Sequence, residues 1–169
     1  GFMVFFIVGA GAETDRKAEL IRKMGSQIND VALGAAEELR VSGWLLDGSL
    51  SGADLHGASL PDANMRGVVL SDSQLYEANL QGADMYGANL SDAVMWGINL
   101  SEANLIVANM QNTDLISANM SGATLRGADL SGAGLFDSDL SNAELHDANF
   151  SGADLESANL SNANLFGAN

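Results

Sequence analysis

Ser51-Gly52-Ala53-Asp54-Leu55 returns as Gln81-Gly82-Ala83-Asp84-Met85 and again as Ser151-Gly152-Ala153-Asp154-Leu155. Working outward from this unit, an apolar side chain stands at every multiple of five from Leu50 to Leu165, twenty-four positions without a polar exception. Two residues earlier the chain carries alanine in eighteen of those twenty-four cases, the others being Gly48, Val68, Ser73, Ile98, Thr113 and Ser138. Asn or Asp mostly separates the pair, as in Ala158-Asn159-Leu160. A period of five suits neither helix nor flat strand, because a helix scatters every fifth residue around its axis and a strand alternates by two. It requires a chain that turns every five residues and keeps one large and one small apolar group inward. Gly, Asn, Asp and Ser fill the remaining places, as turns demand. Strict repetition of this kind is a solenoid signature.

These pentapeptides resemble the pentapeptide-repeat family, over roughly residues 48–169. What the resemblance implies is an all-β solenoid, a right-handed quadrilateral β-helix with four pentapeptides per coil. Residues 48–167 then make about six coils, a rod of ~29 Å at the usual strand spacing. Larger groups at Val68, Val69, Val94, Ile98 and Val107 are expected to bulge the wall without breaking register. With twenty residues per coil, the residue after each core leucine falls into vertical stripes. One stripe reads His56, Tyr76, Trp96, Ile116, Phe136 and Glu156; the opposite one reads Arg66, Tyr86, Ile106, Arg126, His146 and Phe166. The first wall also carries six of the fifteen repeat acids.

Charge divides the chain near Asp47. Formal net charge is −15, of which the segment to Asp47 holds −2 (seven acids, five bases) and the remainder −13 (fifteen acids, with Arg66 and Arg126). So acidic a chain is a poor ligand for phosphate backbones, and no nucleic-acid partner is expected. There is no cysteine, which excludes disulfides and thiolate metal sites.

Three segments follow: an apolar segment over 1–12, a helical linker and N-terminal cap over 13–47, and the repeat over 48–169. Phe2, Phe5, Phe6 and Ile7 lie in a continuous apolar run. That run is short of the ~18–20 residues of a bilayer span, and is expected to be the end of a longer membrane anchor. Arg16, Lys17, Arg22 and Lys23 beside it would keep the repeat in the cytoplasm by the positive-inside rule. A packed helix and a signal remnant are the alternatives. Residues 13–25 read as a helix ended by Gly25, and a second helix capped by Asn29 or Asp30 runs to Arg40 with Val31, Leu33, Ala35, Ala36 and Leu39 inward. Gly43 is its stop signal. Trp44 is the expected plug over the open end of the core, since terminal solenoid repeats need caps. The Arg16–Leu20 helix and the Gly43–Gly48 entry resemble, more loosely, membrane-anchored bacterial members of the same family.

Ser, Asp and Asn recur too often for any catalytic set to stand out. His56 and His146 sit on different walls, Gly9-Ala10-Gly11 lacks the third glycine of a dinucleotide loop, and a filled interior leaves no ligand pocket. No catalysis, cofactor or metal is expected. The candidate partner surface is Tyr76, Trp96, Ile116 and Phe136. The expected role is a membrane-tethered, non-catalytic scaffold or accessory subunit binding protein partners, including a membrane complex. Two alternatives stand beside it. One is an acidic mimic of DNA that binds a type II topoisomerase, an activity the family resemblance brings. The other is a filament or homo-oligomer joined through the C-terminal coil, which carries no lid within the repeat pattern.

Overall fold

The computed structural model describes residues 2–169, with side chains from residue 11 onward. Two helices, α1 (Phe2–Met24) and α2 (Asn29–Val41), precede the repeat. From residue 54 on, the backbone forms parallel bridges between residues twenty apart, in four ladders. They begin at Asp54, Ser59, Asn64 and Val69 and run without a slip to residues 154, 159, 164 and 149 respectively. Each side contributes a single bridging residue, because a turn consumes the rest of the pentapeptide. The fold is a solenoid with one ladder per side, and the substitutions at Val69 and Val94 leave the ladders in register.

The turn explains the sequence pattern. In each unit the alanine N–H donates to the preceding core carbonyl, as Ala58 does to Leu55 (3.1 Å) and Ala128 to Leu125 (3.0 Å). The residue two after every core leucine, from Gly52 to Gly167, has positive φ, the mark of a type II turn. Only eleven of these twenty-four corners are glycine; thirteen carry side chains, mostly Asp, Asn, Ser and Glu. Val107, at φ 51°, is the β-branched exception. Asn or Asp before the core residue closes an Asx turn by accepting the N–H two residues on, as Asn99 does from Ser101 (3.1 Å) and Asp139 from Ser141 (2.9 Å). Asparagine amides also bridge successive coils, Asn99 to Asn79 at 3.0 Å and Asn149 to Asp129 at 2.9 Å.

Inside, the leucines and methionines from Leu50 to Leu145 are fully buried, and from Ala58 to Ala143 their small partners are buried too, while Gly48 and Ala53 are partly covered. Ser73, Thr113 and Ser138 take alanine's place there by donating their hydroxyls to Leu70, Met110 and Leu135 carbonyls at 2.6–2.8 Å. A buried hydroxyl with a partner escapes the desolvation penalty of an orphan.

The helices close the first coil. Leu20, Met24, Ala32, Ala35, Ala36, Leu39 and Leu45 join the repeat's buried cluster. On α2 the buried stripe is 32, 35, 36 and 39, an i, i+3, i+4, i+7 set. Val31, expected inward, is exposed, and Ala32 takes its place. The N-cap is Ile28 and makes no side-chain cap bond. Gly43 ends α2 in a left-handed conformation, with Gly43 N–H on the Arg40 carbonyl and Trp44 N–H on that of Leu39; this is a Schellman stop. Gly25 is required by proximity, since a Cβ there would lie 2.9 Å from the Asp54 carbonyl oxygen.

The membrane expectation is corrected. Phe2, Phe5, Phe6 and Ile7 lie in α1, but their side chains fall outside the described residues. No helix among the described residues is long and apolar enough to cross a membrane. The physical reason is visible in α1, where an apolar run of about eleven residues spans only ~16 Å at 1.5 Å per residue before Glu13, Asp15, Arg16 and Lys17 continue the same helix. The basic cluster beside it is also consumed internally. Arg16 pairs with Glu38, Lys17 with Asp47 (2.6 Å), Arg22 with Glu19 (2.7 Å) and Lys23 with Glu19 (3.5 Å).

Candidate functional site

The wall made by residues 53–57 and their equivalents every twenty residues carries the aromatic stripe. Because the ladders stack coil on coil, residues twenty apart are forced into contact. The His56 and Tyr76 rings stack at 5.1 Å and 16°, and Tyr76 and Trp96 at 4.8 Å and 11°. Ile116 and Phe136 extend the column. Trp96, Ile116 and Phe136 remain 38%, 42% and 41% exposed, so stacking covers their faces toward neighbouring coils and leaves their outer edges in solvent. Aromatic pairs with centroids this close contribute beyond their buried area.

Carboxylates flank the column. Asp54, Asp114 and Asp154 hold Asx-turn positions and accept the N–H groups of His56, Ile116 and Glu156 at 3.1–3.3 Å. Glu77 and Asp137 occupy left-handed corners. The Asp54 carboxyl also receives the His56 ring at 2.8 Å, and that hydrogen bond holds its pKa below the ordinary value. No lysine or arginine lies on this wall. The opposite wall, residues 63–67 and equivalents, carries Asp84, Glu144 and Asp147 against Arg66 and Arg126. There Arg66 pairs with Asp84 at 3.0 Å and lies over the Tyr86 ring at 4.5 Å.

Trp44 is partly buried and packs against the core, while its neighbour Leu45 is the fully buried residue at the entrance. Lys17 Nζ stands 5.1 Å from the Trp44 ring centroid and binds Asp47. The Lys17 contact and the Ser49 N–H hold the Asp47 carboxyl down at about 2. Sequence reading singled out Trp44 as the plug but not Leu45, and placed Lys17 in the basic cluster rather than against Trp44 and Asp47. A lysine sixteen residues into α1 gives no sign that it will reach a carboxylate thirty positions on. Among the described residues no cluster of His, Asp and Glu is arranged to hold a metal ion.

A family model described as pentapeptide repeats matches residues 49–85, 83–122, 97–132 and 133–169. The chain belongs to the pentapeptide-repeat family. Among solved structures it is similar to a pentapeptide repeat protein of the Arabidopsis thaliana thylakoid lumen, at 31% identity over 57% of this chain and 63% of that one (TM-score 0.46). It is also similar to a pentapeptide repeat protein from Nostoc, at 31% identity over 74% and 72% of the two chains (TM-score 0.31). A third is QnrB1, a plasmid-mediated fluoroquinolone resistance protein, at 18% identity over 71% and 66% (TM-score 0.48). The match therefore spans less than two thirds of the length of the thylakoid-lumen protein and of QnrB1. Comparison with curated proteins gives no match.

Proposed function

We propose that this chain is a non-catalytic protein-binding solenoid, wound right-handed and four-sided, with residues 13–47 as its cap and 48–169 as its repeat. The wall of Tyr76, Trp96, Ile116 and Phe136 is its recognition surface, and the partner presents a basic face. One observation carries the reading: the exposed column lies on the wall that holds six of the fifteen repeat acids and no lysine or arginine. The fold does not ask for those charges. Asparagine closes the same turn at Asn79, Asn99 and Asn119, and glycine occupies many of the left-handed corners. Large aromatic side chains surrounded by polar groups fit the anatomy of interface centres. The core is filled by leucine, methionine and alanine, which leaves catalysis without a cavity in the rod.

Site-specific photo-crosslinking tests this. A benzoyl-phenylalanine replacing Ile116 should capture a basic protein from cells expressing the chain, and one replacing Ile106 on the opposite wall should not. Equal capture from both positions, or none from Ile116, rejects the surface. Mimicry of DNA toward a type II topoisomerase is less favoured, because the apolar column interrupts the carboxylates. Supercoiling inhibition that survives Trp96→Asp would revive it.

A further inference from the structure

The first coil is the edge of every ladder, and the cap treats its four edges differently. Ser59 N–H donates to the Ser26 carbonyl (3.0 Å) and Val69 N–H to that of Leu45 (3.0 Å), so two ladders continue into the cap. At the third, the Asp54 N–H has no protein acceptor among the described residues, but Gly25 at the end of α1 lies against that edge. At the fourth, Asn64 N–H meets no protein acceptor among the described residues, although its equivalents Asp84, Asn104, Thr124, Glu144 and Asn164 all donate to the preceding coil. Asn64 is exposed where Ser59 and Val69 are partly covered.

That open edge forms the floor of a groove against α2. Two clefts of about 250 and 260 Å³ share Asn64. Leu33, Ala36 and Ala63 give the first an apolar wall, and Leu45 with Leu46 does so for the second. Leu46 is 58% exposed with nothing covering it among the described residues. The ends differ in charge: Glu37 and Asp62 line one, and Arg40 with Arg66 the other. Arg40 and Arg66 already pair with Glu37 and Asp84, but each is an exposed pair of small net strength that leaves guanidinium donors available.

We propose that this groove binds an extended peptide of a partner protein by strand addition, placing it one ladder step before Asn64. The bound segment is about five residues, one side of a coil, mainly apolar, with a carboxylate at the end that reaches Arg40 and Arg66. An unpaired sheet edge is a template for an added strand, with main-chain bonds giving affinity and side pockets giving selectivity. The site is separate from the aromatic wall, and neither requires the other.

The test begins with panning a phage library of random octapeptides on the immobilised full chain. A synthetic copy of the strongest clone is then measured by fluorescence anisotropy and by amide hydrogen exchange. In the free chain, Asn64 N–H should exchange at least tenfold faster than Ser59 and Val69 N–H. Bound peptide should slow it by tenfold or more. Arg40→Glu, on the outer face of α2, should weaken the peptide at least tenfold, and Trp96→Ala should leave its affinity unchanged. The proposal fails if panning yields no clone above a blank surface. It fails equally if the bound peptide leaves Asn64 exchange unaltered, or if Arg40→Glu binds as the parent does.

Discussion

The cap and the repeat bury leucine by opposite means. In the repeat, each inward leucine is specified by a period stated twenty-four times, and the same turn bonds recur at every side. In the cap, single residues decide the outcome: Gly25 for the approach to Asp54, Gly43 for the stop of α2, Leu45 for the seal. Charge is handled as differently. All five bases of the cap are held in ion pairs, whereas in the repeat six aspartates and nine asparagines answer to turn N–H groups. A repeated structure therefore tolerates local exceptions such as Val107 or Thr113, and a unique one does not.

The largest expected effect lies inside the rod. Leu100→Ala should cost ~2–5 kcal/mol, the range for emptying a buried leucine site, and lower the denaturant midpoint accordingly. Leu165→Ala, at a core position already 43% exposed, should cost under ~1.5 kcal/mol by the smaller apolar area lost. Equal losses at the two sites would contradict a core that is filled coil by coil. Next comes the docking of the cap. Gly25→Val forces side-chain atoms against the Asp54 carbonyl and should cost ~1–3 kcal/mol. Its signature is local: faster amide exchange at Ser59 and Val69, whose acceptors belong to the cap, with coils three to six unchanged. Loss of protection throughout the rod would mean that cap and repeat fold as one unit.

The same contrast explains what could be read in the residues. The solenoid, its register and the stacked column at Tyr76 and Trp96 followed from periodicity, because vertical neighbours are fixed once the coil length is known. The polar core exceptions were visible as Ser73, Thr113 and Ser138, but their carbonyl partners needed the turn geometry. The cap was legible only in outline. Two helices and the Gly43 stop were foreseen, yet α1 begins at Phe2 and continues through the charged segment as one element. Reading the apolar start apart from the charges that follow it led to the expectation of a membrane span, which no helix among the described residues meets. Nothing local marks Ala32 over Val31 as inward, since tertiary docking selects the face. The open edge at Asn64 has no sequence sign, because its residue type is that of its equivalents; its N–H lacks an acceptor as that of Asp54 does, and the cleft against α2 is what distinguishes it.

A smaller effect probes the tolerance of the repeat directly. Val107 holds φ 51° while half exposed, in a region that costs non-glycine residues ~1–3 kcal/mol. Val107→Gly should stabilise the chain by ~0.5–1 kcal/mol after allowance for glycine's greater unfolded-state entropy. The reverse change, Gly127→Val one coil on, should destabilise by a similar amount, and more if the contact with Val107 Cγ1 at 3.4 Å cannot relax. A thermal melt of each variant measures both signs. A destabilised Val107→Gly would mean that the valine's apolar contacts outweigh its backbone conformation.

The smallest effect concerns acid and falls on the latch between cap and repeat. Asp47 is depressed to about 2, first by Lys17 and then by Ser49. An unfolded aspartate titrates near ~3.9, so below that pH the unfolded chain takes up a proton that the folded latch refuses. The latch's contribution is complete above about pH 4, declines as pH falls, and is gone below about 2. With the pair substantially exposed, screening limits it to under ~1 kcal/mol. Asp47→Asn should therefore lower stability slightly at pH 7 and remove this part of the slope between pH 4 and 2. The slope from Asp129 and Asp139 should persist in that variant, since turn hydrogen bonds from Ser131 and Ser141 lower those carboxyls independently of the cap. Urea midpoints across that pH range separate the two, and an unchanged slope in Asp47→Asn would place the acid response wholly in the repeat.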